Sequence, residues 1–330
     1  MERFGIIGAG AWGSALAVAL RAAGRGVVLL ARDAALAEAI GRDHENAIYL
    51  PGVALDPDIE ATPDPASLKD CDALLLAVPA QPLRETCTRL LPSFPADAPV
   101  IVCAKGIERG SGRLMTEVLA EVLPDRAAPV LSGPTFAAEV ARGLPTAVTL
   151  ACADPALGAA LVESLGSRAF RPYLSADPVG AQIGGAVKNV IAIACGIVEG
   201  RGMGDNARAA IITRGLAEIS RLGRALGARP ETLMGLSGLG DLVLTCTSTL
   251  SRNYTLGLAL GEGRALDEVL AERRTVAEGI YTAGAVTARA AEAEIEMPIA
   301  EAIRAILDEG ADIERVIERL LARPFKTESH

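Results

Sequence analysis

The sequence predicts an α/β protein in which a doubly wound, mainly parallel sheet is followed by an all-helical region. Over residues 1–177, short apolar runs alternate with helical patterns, which is typical of βαβ units. Runs such as ALLLAV (73–78) are apolar throughout, as strands are when both faces of their sheet are covered. After Asp177, long Ala, Leu, Ile and Glu segments with helical periodicity take over. Since one core rarely serves 330 residues, we expect two domains, 1–177 and 178–330.

The predicted elements follow this alternation. Strands are expected at Arg3–Ile7, Val27–Ala31, Ala73–Val78, Val100–Ala104, Val130–Ser132, Ala147–Ala151 and Phe170–Tyr173. Helices between them are expected at Trp12–Ala23, Ala34–Arg42, Pro82–Leu91, Gly112–Val122, Phe136–Ala141 and Pro155–Leu165. The second domain should hold a buried helix, Val179–Glu199, and helices at Ala207–Leu226, Asn253–Gly261, Leu266–Ala271, Tyr281–Ala293, Ile299–Leu307 and Ile313–Ala322. Glycine-rich segments at 200–206 and 237–241 interrupt it, either as turns or as close approaches of backbone to a ligand.

Charge and composition exclude several classes of function. The net charge of −9 disfavours a nucleic-acid or membrane-surface role, because both partners attract basic patches. The beginning of the chain lacks the pattern of a secretory signal, and the six scattered cysteines fit reduced thiols and no zinc spacing, so a cytoplasmic protein without a metal is expected. Only His44 and His330 occur, which disfavours histidine-centred catalysis.

The segment GAGAWG (8–13) has the features of a dinucleotide-binding turn. It follows a predicted strand and opens a predicted helix, with Gly8, Gly10 and Gly13 in the G-x-G-x-x-G frame. Gly8 would allow the tight turn, Gly10 the approach of a pyrophosphate, and Gly13 the packing of helix on strand. The N-terminus of the helix would supply free N–H groups to the anion. The sequence therefore predicts a Rossmann-type first domain.

The end of the second predicted strand bears on which nicotinamide cofactor is used. Arg32 stands where an NAD-specific enzyme would place an acidic residue, and a guanidinium suits a 2′-phosphate. NADPH is therefore favoured, although Asp33 keeps NADH possible and Arg32 could be a solvated surface charge. The segment AVPAQP (77–82) either passes over the cofactor at the carboxyl edge of the sheet or is simply a rigid turn.

Lysines are scarce, so their positions are informative. Of the four in the chain, Lys105 follows a predicted strand at the carboxyl edge of the sheet, and Lys188 lies within an otherwise apolar helix. A buried ammonium needs a polar cleft or a carboxylate, and burial lowers its pKa toward the range for proton exchange. Asp241, in an apolar glycine-rich setting, is the obvious partner for Lys188. Either lysine could instead be a structural ion pair.

Arg252 and Asn253 stand where the next helix should begin. A guanidinium beside free helical N–H groups would form a phosphate site. A helix cap with a surface arginine explains the pair equally well.

Taken together, the motifs resemble the bacterial-type NAD(P)-dependent glycerol-3-phosphate dehydrogenases. The segments that carry the resemblance are GAGAWG, AKGIE, SGPTFAAEVARGLPTAV, GAVKNVIAIACGIVEG, GLGDLVLTCTS, SRN and VAEGIYTA, in the family's order and over nearly the whole chain. The resemblance implies a Rossmann-type domain, a helical domain similar to that of 6-phosphogluconate dehydrogenase, and an active site between them. It also implies reduction of dihydroxyacetone phosphate to sn-glycerol 3-phosphate for phospholipid synthesis, and a homodimer.

The resemblance assigns roles by matching position. Lys188 corresponds to the catalytic acid/base, Asp241 to the residue that orients it, and Lys105 to a lysine that touches cofactor and substrate. Substrate contacts would come from Gly133, Thr135, Ser251, Arg252 and Asn253, and less clearly from Thr245. Cofactor contacts would come from Gly8, Gly10, Ala11, Trp12, Gly13, Arg32, Lys105, Ala137, Arg252, Val276 and Glu278.

Two alternatives remain open from the residues alone. The first is another two-domain NAD(P) dehydrogenase, acting on a sugar acid, a ketoacid or a UDP-sugar, which would not need the phosphate clamp. The second is a non-catalytic nucleotide sensor, which would leave Lys105, Lys188 and Asp241 without a purpose.

Overall fold

The computed structural model describes residues 1–273 and 277–324, and its first part is built on one eight-stranded sheet. The strands of this sheet and of a small hairpin are β1 (Arg3–Ile7), β2 (Gly26–Leu30), β3 (Glu45–Asn46), β4 (Leu50–Ala54), β5 (Ile59–Thr62), β6 (Ala73–Leu76), β7 (Val100–Val102), β8 (Val130–Ser132), β9 (Thr146–Ala151) and β10 (Phe170–Ser175). The strand order is β10-β9-β8-β7-β6-β1-β2-β5, and β9 runs antiparallel to β8 while the other pairs are parallel.

Helices cover both faces of the sheet, as continuously apolar strands require. They are α1 (Ala11–Ala22), α2 (Ala34–Asp43), α3 (Leu83–Leu90), α4 (Met115–Val122), α5 (Ala137–Ala141) and α6 (Pro155–Leu165). The strands β2 and β5 lie on one side of β1 within the sheet, and β6 lies on the other side. The direction in which successive strands are added therefore reverses between β1 and β6. In open α/β sheets, ligands bind in the crevice at the carboxyl ends of such strands. Gly8 follows β1 at this point.

From Pro178 onward, every regular element of the described residues is helical. The helices are α7 (Pro178–Gly200), α8 (Gly204–Ala225), α9 (Pro230–Leu233), α10 (Asp241–Cys246), α11 (Arg252–Gly261), α12 (Leu266–Ala271), α13 (Gly279–Glu292), α14 (Pro298–Glu309) and α15 (Ile313–Leu321). The helix α7 is the centre of this region and is long and apolar enough to cross a membrane by length and composition, but its apolar window is entirely buried in the protein. It is therefore the core helix of the second region.

Glycines let α11 cross α7 at very short range. A Cβ on Gly257 would overlap the backbone carbonyl of Ile193, and one on Gly196 would lie 2.6 Å from the backbone nitrogen of Leu258. Close backbone contact of this kind is possible only without side chains at the crossing. This crossing brings the N-terminus of α11, which holds Arg252 and Asn253, against Asn189 of α7, the neighbour of Lys188 in sequence.

Several predicted boundaries are wrong for identifiable reasons. The helix expected from Gly112 begins at Met115, because Gly110 and Gly112 adopt positive φ and Glu117 accepts the Leu114 N–H at 2.7 Å. The β3–β4 hairpin and β5 were not predicted, since LPGVA contains turn residues rather than an alternating pattern. The helix expected from Ala207 begins at Gly204, within the predicted glycine-rich interruption. The other interruption folds as a π-helical turn, Leu236–Gly240, that leads directly into α10.

Candidate active site

The nucleotide turn has the geometry that its three glycines predict. Gly8 has φ = 110°, a conformation that side chains disfavour, and a Cβ on Gly13 would overlap the Gly8 carbonyl oxygen. A Cβ on Gly10 would meet nothing within 4 Å, so the space above this residue is open to a ligand. Gly10 has an extended backbone and is the N-cap residue of α1, which therefore has no side-chain cap. The first N–H groups of α1 are therefore free to bind an anion, and the turn fits a dinucleotide.

Two residues that were predicted to contact the cofactor diphosphate follow Gly10 directly. Ala11 and Trp12 form the first turn of α1. The indole of Trp12 is half-buried and packs on the same core cluster as Ala137, which begins α5. Its Nε1 is buried and has no hydrogen-bond partner in the described part of the chain. The helices α1 and α5 contact each other, so Trp12 and Ala137, each in the first turn of its helix, are on elements packed together.

Arg32 and Asp33 differ in how the fold uses them. Both are exposed just after β2, but the Asp33 carboxylate caps α2 by accepting the Ala35 N–H at 2.9 Å. This cap uses one carboxylate oxygen, so Asp33 Oδ2 can still accept a hydrogen bond from a ribose hydroxyl. Arg32 is exposed beside it, just after β2, where its guanidinium can be reached by an anion in solution.

Three charged groups meet at the carboxyl edge of the sheet. Lys105 follows β7, Lys188 lies on α7, and Asp241 begins α10. The Asp241 carboxylate accepts a hydrogen bond from Lys188 Nζ through Oδ1 and one from Lys105 Nζ through Oδ2, at 2.8 Å for the latter. Asp241 is completely buried and Lys188 is 5% exposed. The pairing of Lys188 with Asp241 agrees with the charge argument, whereas the share of Lys105 in the same carboxylate was not foreseen.

The surroundings of Lys188 prepare its ammonium for proton exchange. Burial lowers the pKa of Lys188 from 10.5 to about 7; the charge of Asp241 raises it and that of Lys105 lowers it. Thr245 on α10 accepts a second hydrogen bond from Nζ at 2.8 Å, and its hydroxyl donates to the Asp241 carbonyl at 2.6 Å. The ammonium is thus oriented by two groups of one helical turn.

The side chain of Lys105 also contacts the loop after β8, residues 133–135, and so connects it to Asp241. Its Nζ donates to the Gly133 carbonyl at 2.7 Å and lies 3.4 Å from the Thr135 hydroxyl. Gly133 has φ = 143°, and a Cβ there would come within 3.0 Å of the Val148 Cα on the neighbouring strand. The loop can therefore approach Lys105 closely only with glycine at this position.

At the N-terminus of α11, Ser251 is the cap and its hydroxyl accepts the Tyr254 N–H at 3.2 Å. Arg252 and Asn253 occupy the first two helical positions, whose N–H groups have no intrahelical partner. The Arg252 side chain is exposed, whereas Asn253 is buried. The structure is therefore compatible with both interpretations of Arg252 and Asn253. They form a capped helix start with an exposed arginine, and that arginine lies beside free N–H groups that could bind a phosphate.

A buried amide relay, which the sequence did not reveal, links this helix start to Lys105. Asn253 Nδ2 donates to Asn189 Oδ1 at 2.9 Å, and Asn189 Nδ2 donates to the Lys105 carbonyl at 3.0 Å. Asn253 Oδ1 accepts the Gly279 N–H at 2.9 Å. Most of the Asn253 carboxamide is thus engaged within the protein, so its free backbone N–H is the more available donor. The position of Asn189 next to Lys188 was the one available signal.

Glu278 lies where α13 meets the segment 77–82. Its Oε1 accepts the Ala80 N–H at 3.2 Å, while its Oε2 is buried without a hydrogen-bond partner among the described residues. Burial raises the pKa of Glu278, and the Ala80 N–H and the charge of Arg252 lower it. Gln81 of the same segment donates to the Ile107 carbonyl at 2.9 Å, so the segment supports the loop that follows Lys105. Val276, also predicted to contact the cofactor, lies outside the described residues.

Two family models match almost the whole chain. The N-terminus of NAD-dependent glycerol-3-phosphate dehydrogenase matches residues 3–158, and the C-terminus of the same family matches residues 177–318. The family predicted from the motifs is therefore confirmed.

Individual relatives agree with this match. The chain is 60% identical to glycerol-3-phosphate dehydrogenase [NAD(P)+] of Rhodospirillum rubrum, over 99% of this chain and 94% of that protein. It is 55% identical to the protein of the same name from Caulobacter vibrioides, over 99% of each. Among solved structures, glycerol-3-phosphate dehydrogenase from Coxiella burnetii superimposes with a TM-score of 0.93 at 40% identity, over 98% of this chain and 99% of that one.

Proposed function

We propose that this chain, which belongs to the NAD-dependent glycerol-3-phosphate dehydrogenase family, interconverts dihydroxyacetone phosphate and sn-glycerol 3-phosphate with NAD(P)H. The observation that carries the proposal is the buried Lys188 ammonium, held by Asp241 at the carboxyl edge of the nucleotide-binding sheet. A phosphate-binding helix start, with Arg252, lies on the helix that crosses the lysine-bearing helix. These are the two parts that reduction of a phosphorylated ketone needs.

In the direction of reduction, Lys188 acts as the general acid. When bound, the nicotinamide cofactor supplies the hydride to the carbonyl carbon. The carbonyl π electrons move to oxygen and take the proton of Lys188 Nζ, which leaves an alcohol and a neutral amine that solvent reprotonates. A pKa of about 7 is suited to both directions of this exchange. Asp241 and Thr245 hold Nζ in place during the transfer.

Lys105 is proposed to bind both the substrate and the cofactor. Its ammonium already joins Asp241 to the Gly133 carbonyl, and Thr135 stands beside it. The contact with the Thr135 hydroxyl is long at 3.4 Å, so a substrate oxygen could replace it at little cost. Gly133 and Thr135 then form the wall of the substrate site.

The phosphate of the substrate is proposed to bind at the beginning of α11. Arg252 would supply the charge, and the N–H groups of Arg252 and Asn253 would supply directed donors. Ser251 keeps this helix start in place by its cap. Thr245 faces Lys188 directly and therefore supports the reacting end rather than the phosphate.

NADPH is the proposed preferred cofactor, with NADH as the second choice. The support is that the exposed Arg32, just after β2, can present a guanidinium to a 2′-phosphate. Arg32→Ala should raise the KM for NADPH about tenfold, in line with the loss of one charge-assisted bond, and leave the KM for NADH nearly unchanged. Asp33→Asn keeps a capping residue and is the matched control. Equal effects on both cofactors would contradict the assignment.

The remaining cofactor contacts are proposed from their places around the turn. Gly8, Gly10, Gly13, Ala11 and Trp12 would surround the diphosphate, with Ala137 behind them. Glu278, whose buried Oε2 has no hydrogen-bond partner among the described residues, would lie at the nicotinamide end together with Arg252. Val276 is proposed only from its position in the family motif.

The direct test is NADPH oxidation, followed at 340 nm, with dihydroxyacetone phosphate as substrate. The parent protein should turn over, and Lys188→Ala should lose activity by a factor of about 10² to 10⁴ while still binding NADPH. Binding of NADPH without turnover in the parent would favour a nucleotide sensor. Turnover of unphosphorylated ketoacids in preference would favour another two-domain dehydrogenase.

We further propose that the enzyme supplies glycerol 3-phosphate for phospholipid synthesis in the cytoplasm and functions as a homodimer of two-domain subunits divided near residue 177. Light scattering coupled to size exclusion gives the mass of the assembly. A mass near 34 kDa, that of one chain, would overturn the dimer.

A further inference from the structure

The β3–β4 hairpin carries a buried side chain that holds the nucleotide turn. Asn46 is completely buried, and its Nδ2 donates to the Ala9 carbonyl at 2.9 Å and to the Ser14 hydroxyl at 2.8 Å. Its Oδ1 accepts the Tyr49 N–H at 3.2 Å. Both amide hydrogens and the amide oxygen are therefore used within the protein. Asn46 therefore has no donor left for a ligand, and its complete burial keeps the amide oxygen away from one.

The two acceptors of Asn46 lie on either side of the residue that a diphosphate would approach. Ala9 precedes Gly10, and Ser14 completes the first turn of α1. In a trans peptide the C=O and N–H groups point in opposite directions. Holding the Ala9 carbonyl toward Asn46 therefore fixes the Gly10 N–H on the opposite side, and holding Ser14 fixes the rotation of the first helical turn.

We propose that Asn46 is a positioning residue for the cofactor, which sets the direction of the free N–H groups at Gly10 and the beginning of α1 without touching the cofactor. Hydrogen bonds weaken steeply once their angle falls below about 120°, so a turn that rotates away from the diphosphate binds it less tightly. The proton-transfer group, Lys188, is on a different element and does not depend on the hairpin. Asn46 should accordingly affect the affinity for the cofactor and not the rate of the chemical step.

This inference rests on the proposed function only for the identity of the cofactor, and its test can be made without substrate. Trp12 is the single tryptophan of the chain and stands in the turn itself. Quenching of its fluorescence by NADPH gives a dissociation constant that does not require turnover. A parent protein that binds NADPH but does not reduce dihydroxyacetone phosphate would refute the proposed function and still allow the role of Asn46 to be measured.

The variants are Asn46→Ala and Asn46→Asp, with Gln182→Ala as a matched control. Gln182 is also a buried carboxamide with three hydrogen bonds, to Thr116 twice and to the Pro178 carbonyl, but it is remote in sequence from the turn and bonds none of its residues. Asn46→Ala should raise the NADPH dissociation constant and KM about tenfold, with kcat and the KM for dihydroxyacetone phosphate within about twofold of the parent. Asn46→Asp should raise them further, because a carboxylate would repel both the Ala9 carbonyl and the diphosphate. Gln182→Ala should lower the urea midpoint of unfolding with no change in NADPH affinity.

Three results would overturn the proposal. They are an unchanged NADPH dissociation constant in folded Asn46→Ala, an equal rise in Gln182→Ala, or a fall in kcat as large as the rise in KM. If Asn46→Ala does not fold, Ser14→Ala removes one of the two acceptors and should raise the dissociation constant about threefold. No rise in that variant would likewise refute the role.

Discussion

Removing the charge of Asp241 should move the pH dependence of reduction to lower pH. In Asp241→Asn, neither Lys188 nor Lys105 keeps its carboxylate partner, and the amide NH₂ group faces one of the two ammoniums. Loss of an opposite charge in direct contact lowers a lysine pKa by about 1 to 3. The pKa of Lys188, already brought to about 7 by burial, should therefore fall to about 4 to 6.

The magnitude follows from the protonated fraction of the general acid. At pH 7 about half of Lys188 is protonated in the parent, compared with about 0.1 to 10% in the variant. This alone reduces kcat/KM for dihydroxyacetone phosphate about 5- to 500-fold at pH 7. Because reduction requires the acid form, the rate falls as pH rises through the pKa, and the descending limb should move from about pH 7 to lower pH.

The assay is kcat/KM for reduction between pH 5 and 9, measured for the parent and for Asp241→Asn. Glu218→Gln is a matched control, because Glu218 is also a buried carboxylate but lies on α8 and caps α14. The control should keep the descending limb of the parent. A variant whose limb stays at pH 7 while its rate falls uniformly would refute the role of Asp241 in holding the proton and leave it a packing role only.

Three further outcomes are expected. Arg252→Ala should raise the KM for dihydroxyacetone phosphate about 10- to 100-fold and abolish the preference over unphosphorylated dihydroxyacetone, as judged by steady-state kinetics, because a charge-assisted phosphate contact is lost. Gly184→Ala should destabilise the protein by about 1–3 kcal/mol in urea unfolding, because the new Cβ would overlap the Ser237 carbonyl. Gly41→Ala should instead stabilise it by about 0.5–1 kcal/mol, because the new Cβ would meet no other part of the protein within 4 Å. Burial raises the pKa of Glu218 from 4.5 to about 7, so the native state keeps a proton that the unfolded chain releases. The free energy of unfolding should therefore fall as pH rises from 4.5 to 7, by up to about 1.4 kcal/mol per pH unit. Glu218→Gln should flatten this fall in urea midpoints measured from pH 4.5 to 8, and an unchanged slope would contradict it.

The parts of the fold that the sequence predicted well are those whose local pattern agrees with their burial. The strands β1 and β8 and the helix α6 have the predicted bounds, because continuous apolar runs and an Asp-Pro helix start are local signals. The β3–β4 hairpin was missed because what stabilises it is not local. Asn46 is held by Ala9 and Ser14, more than thirty positions away, and no periodicity in the segment reveals such contacts.

In the candidate site, too, one contact could be predicted from the sequence and others could not. The rule that a buried charge needs a partner was enough to connect Lys188 with Asp241 from sequence. The attachment of Lys105 to the same carboxylate could not be inferred, since it depends on where the end of β7 meets the π-helical turn before α10. The amide relay through Asn189 was hidden for a similar reason, because a polar residue within an apolar helix does not reveal which backbone carbonyl it will face.

Sharing one carboxylate between two lysines explains how an acidic chain can bind an anionic substrate. The chain carries a net charge of −9, so its field at long range does not attract a phosphate ester. Lys105, Lys188 and the buried Asp241 together carry one positive charge when both lysines are protonated, and the exposed Arg252 at the beginning of α11 adds another. A buried charge acts through fewer water molecules than a surface charge and is less screened by salt. Attraction at the reacting end of the site is therefore local, whereas the contact between the exposed Arg252 and the substrate phosphate should weaken as ionic strength rises.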